Sequence, residues 1–373
     1  MRCSPVDVKI LLVIGSLRGG GAERMVAVLA DGLKAAGMDV DLALLNGRAG
    51  EGYAVDSDVA VHELGLRRTN PLIAIFRLRS LMAASEVVYS FLDIGNALTA
   101  MVRPAQLPVL VWGIRFAGVE SGWRARIAFR LARTFASRAD HCISNSREAL
   151  EAYGSAGFSL SDSVVIFNGI DPSVFRPDPA ARARGRNSFG ASQNDVVVGL
   201  FARVNPVKRH DLFVAAALRL LERQSDLLFV FAGRGSEAIA DRFDVPTRFA
   251  ARFVGLGERS GDDLPALIAA LDVHVCASDI EGFPNSVLEA MATGVPCIAT
   301  RVGATAELIG DAGVLIDPGD ERGLIDALAK LTGDPDLRAT LGASARLRVT
   351  ERFDQRRMIA ATLEVLNGWA GKA

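Results

Sequence analysis

No stretch of this 373-residue chain approaches the roughly 18 consecutive apolar residues that a membrane-spanning helix needs. The apolar run near the N-terminus holds only about eight residues and lacks a small-residue cleavage pattern, which argues against a secretory signal. Cysteine is scarce. Cys3, Cys142, Cys276 and Cys297 are scattered without a C-x-x-C pair, so they build neither a zinc framework nor a disulfide scaffold. Three of them lie in apolar, strand-like runs and read as buried thiols of a reducing compartment. Net charge is scarce too, at −1, which removes any overall electrostatic case for nucleic acid. The expectation is a cytoplasmic protein, soluble or peripheral on the inner face of a membrane.

What the chain has in quantity is hydrophobic residues, half of the total, enough for two domains each with its own core. In the first half VKILLVIG, DVDLALL, EVVYSFL, PVLVWGI, DHCISNS and VVIFNGI read as strands, with amphipathic stretches such as residues 22–36 between them. The second half repeats the alternation with DVVVGLFAR, DLLFVFAG, RFVGLG, VHVCAS, PCIAT and GVLI. Such alternation predicts parallel sheets with helices on both faces. Asn168-Gly169 and Asp171-Pro172 mark turns, and the following residues are rich in Pro, Arg, Gly and Ala. The predicted domains are 1–172, a linker over 173–194, a second domain over 195–352, and a terminal helix over 353–373.

Lysine is missing from residues 67–138, where eleven arginines face only three acids, Glu86, Asp93 and Glu120. Within this region Trp123, Ile127, Leu131 and Phe135 recur every fourth residue, with Arg124, Arg126, Arg130, Arg133 and Arg138 mostly on other faces. This is a basic amphipathic helix. Two readings stay open: a core-packed helix with a solvated basic face, or a surface for an anionic membrane or the phosphate of a lipid-linked acceptor.

The most informative stretch is residues 277–307, read as strand end, tight loop, helix, turn and strand. Gly294-Val295-Pro296 stops the helix, and Pro284 suits its first turn. Helix N–H groups after Gly282 and the positive dipole end make a site for phosphate. Glu281 can accept hydrogen bonds from sugar hydroxyls, and Glu289 from the two hydroxyls of a ribose; together they suggest a ligand part phosphate and part polyol. Both can equally be ordinary helix-start charges. Arg203 and Lys208, five residues apart at a strand-to-helix turn, can reach one diphosphate. The glycine-rich turn at residues 15–23, including Gly20 and Gly21, lets backbone approach a phosphate or sugar. Its spacing is not the dinucleotide G-x-G-x-x-G, although Asp39 falls where a ribose-binding acid would.

The run Glu281-Gly282-Phe283-Pro284-Asn285, then Glu289-Ala290-Met291-Ala292 and Gly294-Val295-Pro296, resembles the donor-site signature of the retaining, nucleotide-sugar-dependent glycosyltransferases of family 4. Gly20 to Arg24, the segment from Ser144 through Asn168-Gly169-Ile170-Asp171, and the Arg203/Lys208 loop resemble further parts of that family. The resemblance implies the GT-B arrangement, two Rossmann-like parallel-sheet α/β domains facing across a cleft. It implies that Glu281 contacts the donor sugar, Glu289 the nucleotide ribose, and Arg203 and Lys208 the diphosphate. Gly20, Gly21, Gly282, Phe283, Asn285, Ser286 and Val287 would line the donor, and the backbone of Gly255 and Leu256 would read the base. The terminal helix should then cross back to the first domain, whereas composition alone leaves it as free to cap its own. No cofactor or metal is implied beyond the nucleoside diphosphate sugar, and the acceptor would be a glycan or lipid-linked hydroxyl, not nucleic acid.

Two departures from the family stand out. A first-domain His that contacts sugar in many members is absent, since the chain holds only His62, His141, His210 and His274; its corresponding run is Trp112-Gly113-Ile114-Arg115-Phe116, which puts Arg115 on the acceptor side. The usual Gly-Gly of the later loop is Gly303-Ala304. D-x-D spacings at Asp39/Asp41, Asp56/Asp58 and Asp334/Asp336 fall away from these motifs. The alternatives are a non-catalytic nucleotide-sugar binding protein, an NAD-dependent oxidoreductase and, since paired carboxylates invite it, a glycosidase.

Overall fold

The computed structural model describes residues 8–116, 118, 123–160, 162–259, 261 and 263–371; Cys3 and Glu120 lie outside the described residues. The chain forms two compact units, Met1–Asn168 with Gln355–Ala373, and Gly169–Asp354. No helix among the described residues is long and apolar enough to cross a membrane.

The first unit runs β1 (Lys9–Ile14), α1 (Gly21–Ala35), β2 (Asp39–Leu44), β3 (Ala60–Glu63), α2 (Pro71–Ala83), β4 (Val87–Phe91), α3 (Leu92–Val102), β5 (Val109–Ile114), α4 (Trp123–Phe135), β6 (His141–Ser144), α5 (Arg147–Ser155) and β7 (Ser163–Val165). Among the described residues its seven parallel strands stand in the order β3-β2-β1-β4-β5-β6-β7. Helices cover both faces, so β1 and β5 are apolar along their length rather than alternating. Alternate residues of a strand point to opposite faces. Thus Ile10, Leu12 and Ile14 of β1 meet Met25, Leu29 and Leu33 of α1, while Leu11 and Val13 join the layer of α2, α3 and α4. β3, not anticipated from sequence, is a four-residue edge strand, AVHE, with no fully buried residue to betray it.

The second unit runs α6 (Pro179–Ser188), β8 (Val196–Phe201), α7 (His210–Leu221), β9 (Leu227–Ala232), α8 (Ile239–Arg242), α9 (Thr247–Ala250), β10 (Phe253–Gly255), α10 (Asp263–Ala269), β11 (Val273–Cys276), α11 (Asn285–Ala292), β12 (Cys297–Thr300), α12 (Thr305–Ile309), β13 (Val314–Ile316), α13 (Glu321–Gly333) and α14 (Pro335–Arg352). Its six parallel strands among the described residues are ordered β10-β9-β8-β11-β12-β13. Leu200, Phe213, Phe229, Phe231 and Ile298 lie in its core.

Residues 173–194, predicted as a linker, are instead folded into this second unit. Asp178 caps α6 by accepting the N–H groups of Ala180 and Ala181. Arg182 and Arg186 both reach the Asp272 carboxylate, at 2.6 and 3.2 Å. A Cβ added at Gly185 would lie 2.2 Å from the Ala266 carbonyl oxygen, so α6 packs directly on α10. The composition that suggested a flexible joint serves a close-packed, ion-paired helix.

The last helix, α15 (Gln355–Ala370), belongs to the first unit, where Met358, Leu366 and Trp369 enter the core beside α1. Gly32 of α1 permits the approach, since a Cβ there would fall 2.3 Å from Ile359 Cδ1. Trp369 stacks on His141 with ring centroids 3.9 Å apart, and its Nε1–H donates to Asp162 Oδ2 at 3.1 Å.

The core-packed reading of the α4 apolar stripe holds only at its end, where Phe135 is half-buried against the core. Trp123, Ile127 and Leu131 are 66, 47 and 39% exposed, and the helix, which lies against α3, buries Ala128 and Ala132 instead.

Candidate functional site

In open parallel α/β sheets, ligands bind beyond the carboxyl ends of the strands where the strand order reverses. In the second unit that point lies between β8 and β11, because the chain builds β9 and β10 on one side of β8 and then β11 to β13 on the other. The loops leaving these two strands carry Arg203, Lys208 and Glu281.

The loop after β8 is closed by Asn205, whose Oδ1 accepts the Val207 N–H at 3.1 Å and caps a 3-10 turn at Pro206–Lys208. Arg209 follows in the left-handed region, at φ 50°, which costs a non-glycine residue about 1 kcal/mol. Its guanidinium bonds to Asp211, and to Asp279 at 3.1 Å, offset that strain. The Asp279 N–H in turn donates to the Val207 carbonyl at 2.8 Å, so the two loops are stitched together.

The consequence is a contact between Lys208 Nζ and Glu281 Oε1 at 2.5 Å, with the same oxygen accepting the Ser278 hydroxyl at 2.7 Å. Glu281 is only 7% exposed. Burial works against the lysine's charge, yet the Glu281 carboxylate outweighs it and holds the Lys208 pKa above the ordinary lysine value. The positive charge of Arg203, itself exposed, opposes this, which places the two cations near one another. Cys276 Sγ lies 3.7 Å from Glu281 Oε1; burial, and then the neighbouring carboxylate, push its thiol up to about 12, so it stays protonated.

The backbone beneath Glu281 is equally tied. The Thr300 hydroxyl donates to the Ser278 carbonyl at 2.5 Å, and the Ala304 N–H to the Gly282 carbonyl at 2.8 Å. Gly303, at φ 57°, passes so close that a Cβ would lie 2.5 Å from the Glu281 carbonyl oxygen. The Gly303-Ala304 departure therefore falls on a loop that supports Glu281, and Ala304 is fully buried.

Pro284 is the N-cap of α11 and the helix proper starts at Asn285, one residue later than the sequence suggested. Glu289 is 5% exposed on the second turn, and its spacing of four puts it on the same helix face as half-buried Asn285. Gly282 and Ser286 flank the helix start. The side chains of Phe283 and Val287 pack inward: the Phe283 ring lies 5.9 Å from that of Phe353, and Val287 is fully buried with its N–H given to the Pro284 carbonyl. Their side chains hold the loop. At Gly255 a Cβ would come 1.8 Å from the Ser236 carbonyl oxygen, and the Leu256 N–H is spent on the Phe231 carbonyl at 2.8 Å, which withdraws that group from reading a base.

The first unit has its own reversal, between β1 and β4. Gly20 caps α1 and Gly21 opens it, but the Glu23 carboxylate folds back over them, so that a Cβ on Gly20 would lie 2.0 Å from Glu23 Oε2. A glutamate at this third helical position serves the helix's own N-terminus, as in a capping box, and competes with an incoming phosphate. Arg115 is committed as well. It donates to the Tyr89 hydroxyl at 2.6 Å and to Asn168 Oδ1 at 3.3 Å, and lies over the Phe91 ring at 5.2 Å, which makes it a brace at the end of β5.

Sequence reasoning did not single out Ser278, Asp279, Thr300 or Arg209. The available signal was position: the first three sit at or just beyond the ends of β11 and β12, where a polar residue on an apolar strand has a loop to hold. Of the D-x-D aspartates, Asp41 meets Lys9 and His62, Asp56 accepts the Asp58 N–H, and Asp334 caps α14.

Two family models match the chain: "Glycosyltransferase Family 4" over residues 19–174 and "Glycosyl transferases group 1" over residues 195–334. The chain is similar to the lipopolysaccharide core biosynthesis mannosyltransferase LpsB of Rhizobium meliloti (strain 1021), with 33% identity over 217 residues, 55% of this chain and 61% of that protein. It therefore spans less than two thirds of that relative's length. With a GDP-mannose-dependent alpha-(1-6)-phosphatidylinositol monomannoside mannosyltransferase of Mycolicibacterium smegmatis it shares 30% identity over 262 residues, 67% of this chain and 68% of that protein. Its fold is that of Anabaena Alr3699/HepE, whose crystal structure in complex with UDP and glucose aligns with a TM-score of 0.79 over 97% of this chain and 100% of that one, at 23% identity.

Proposed function

Because the chain belongs to the group 1, family 4 glycosyltransferases, we propose that it moves a hexosyl group from a nucleoside diphosphate sugar to a hydroxyl of a lipid-linked or polysaccharide acceptor, with retention at the anomeric carbon. The observation that carries this reading is the Lys208–Glu281 pair at the β8/β11 reversal, beside Arg203 and the start of α11. As the glycosidic bond breaks, charge builds on the leaving diphosphate, and cations already in place stabilise that transition state selectively. An ammonium has three N–H donors. Glu281 takes one of those of Lys208, which leaves the others for phosphate oxygens while the carboxylate keeps the amine charged. Arg203 supplies the second cation, so the scheme uses no metal. Glu281 Oε2 faces donor hydroxyls, and Glu289 with Asn285 faces the ribose.

Relatives support the donor class: one is GDP-mannose-dependent, and a structural neighbour was crystallised with UDP-glucose. A cytoplasmic location follows from donors of this kind. The test is thermal shift against UDP-, GDP- and ADP-sugars and NAD, for the wild type and Glu281→Ala, followed by transfer assays with and without EDTA. Stabilisation by one nucleotide sugar, weakened in the variant, is the expected result. Stabilisation by NAD alone overturns the reading, and loss of transfer in EDTA overturns its metal independence.

A further inference from the structure

A surface helix ordinarily turns its large apolar side chains inward. Two helices of the first unit, on either side of α3, also turn large apolar side chains outward. α4 buries Ala128 and Ala132, rests Phe129 and Phe135 against the core, and leaves Trp123, Ile127 and Leu131 in solvent. α2 buries Ala74, Leu78 and Met82 and leaves Leu72, Ile73 and Phe76 exposed by 65, 56 and 73%. Between them α3 shows Ile94 and Met101. In a parallel sheet the connecting helices run against the strands, so their N-terminal turns share one end of the layer. Leu72, Ile73, Phe76, Ile94, Trp123 and Ile127 all lie in N-terminal halves and so gather at that end.

The charge on α2 and α4 has one sign, the acid Asp93 of α3 being bonded to the Tyr153 hydroxyl. Neither α2 nor α4 contains an acidic residue. Arg67, Arg68, Arg77, Arg126 and Arg130 are exposed and enter no ion pair among the described residues. Arg124 lies over the Trp123 ring at 5.1 Å. Large apolar groups rimmed by unpaired arginines, with an indole among them, fit the headgroup boundary of an anionic bilayer, where guanidinium groups meet lipid phosphates and apolar tips enter the acyl region. A second copy of the chain fits poorly, because a two-fold contact would set these arginines against one another, and neither α2 nor α4 has an acid to receive them.

We propose that the first unit docks on an anionic bilayer through the outer faces of α2 and α4, inserting Phe76, Trp123 and Ile127; in purpose this rests on the glycosyltransferase reading, since it would bring a lipid-linked acceptor to the enzyme. The chain supplies its own reporter. Of its three tryptophans, Trp112 and Trp369 are buried and Trp123 is exposed. Titration with phosphatidylglycerol/phosphatidylcholine vesicles should shift tryptophan emission to the blue and carry the protein into the vesicle pellet, whereas phosphatidylcholine alone should do neither. Phe76→Ser with Ile127→Ser should weaken pelleting by about tenfold or more, from the lost apolar insertion. Arg126→Glu with Arg130→Glu should weaken it by about a hundredfold at low salt. Both pairs should keep the wild-type thermal shift with the donor nucleotide sugar, which shows them folded. Unchanged emission and no pelleting with anionic vesicles at low salt overturn the proposal. So does a blue shift that grows with protein concentration without vesicles and tracks a dimer mass. Failure of donor binding on the same samples would sink the glycosyltransferase reading and leave the docking result standing.

Discussion

Replacing Lys208 by Met separates the structural from the catalytic part of the Lys208–Glu281 contact. In the variant, Glu281 stays 7% exposed and keeps only the Ser278 hydroxyl and the distant Cys276 thiol as donors. Removing one member of a buried ion pair costs about 3–5 kcal/mol, because the remaining charge is left uncompensated. The Ser278 bond moderates this, so about 3 kcal/mol is expected, or roughly 6–12 °C in the melting of a unit of this size. The double variant Lys208→Met, Glu281→Leu removes both charges and should recover most of that loss, with a coupling of about 2–3 kcal/mol in the cycle. Transfer should behave differently. Each single variant should lose at least about a hundredfold in kcat, and the double variant should recover none of it. Urea unfolding gives the first set of values and transfer kinetics the second. A Lys208→Met loss below about 1 kcal/mol would show the pair to be solvated and refute the desolvation argument. Restored transfer in the double variant would refute the role of Lys208 at the leaving diphosphate.

Gly303→Ala should cost about 2–4 kcal/mol, since φ 57° disfavours any L-residue and the new Cβ meets the Glu281 carbonyl oxygen at 2.5 Å; the KM for the donor should rise as Glu281 shifts, and a neutral effect in urea melts would contradict the tight approach. Burial pushes His274 down to about 3 and His210 down to about 4, each from 6.5. Both stay neutral in the folded chain where the unfolded chain protonates, so their contribution is complete above pH 6.5 and is lost as pH falls toward 4, at about 1.4 kcal/mol per pH unit for each group. Urea melts between pH 7.5 and 4.5 measure this slope, and His274→Phe, which removes one titrating group, should flatten it; an unchanged slope would show that His274 carries none of the dependence.

Twelve of the strands are visible as apolar runs because helices cover both sheet faces and no strand has to alternate. β3 escapes that logic, being a short edge strand whose residues remain partly in water. Composition misled at α6, where Pro, Arg and Gly are used as a helix start, partners for Asp272 and a close approach to α10. In α4 the four-residue repeat revealed a stripe but not its direction, which the alanines opposite decide. At the candidate site the motifs marked the loops after β8 and β11 without sorting their residues. Phe283 and Val287 hold the loop from inside, while Glu281, Lys208 and Arg203 carry charge to its surface. That Lys208 touches Glu281 was not legible, because 73 residues separate them and only the sheet order makes their loops neighbours.

The two units share a strand reversal with loops at its carboxyl end, yet their electrostatics differ. In the second unit the reversal carries Arg203 and Lys208, and Glu281 is neutralised by Lys208, the lysine it orients. In the first unit the α1 terminus is faced by Glu23, and Arg115 is drawn back onto Tyr89, Asn168 and Phe91. A diphosphate carries charge that cations and free helix ends stabilise and a carboxylate repels. The same architecture is thus tuned for an anionic ligand in one unit and against it in the other. What the first unit offers outward is arginine and apolar surface on α2 and α4, and that surface suits a lipid better than a nucleotide. If this division is right, Glu23→Gln should leave the donor thermal shift unchanged while Arg203→Ala abolishes it. A donor shift that grows in Glu23→Gln would place phosphate at α1 after all, and the turn would regain the role that its glycines first suggested.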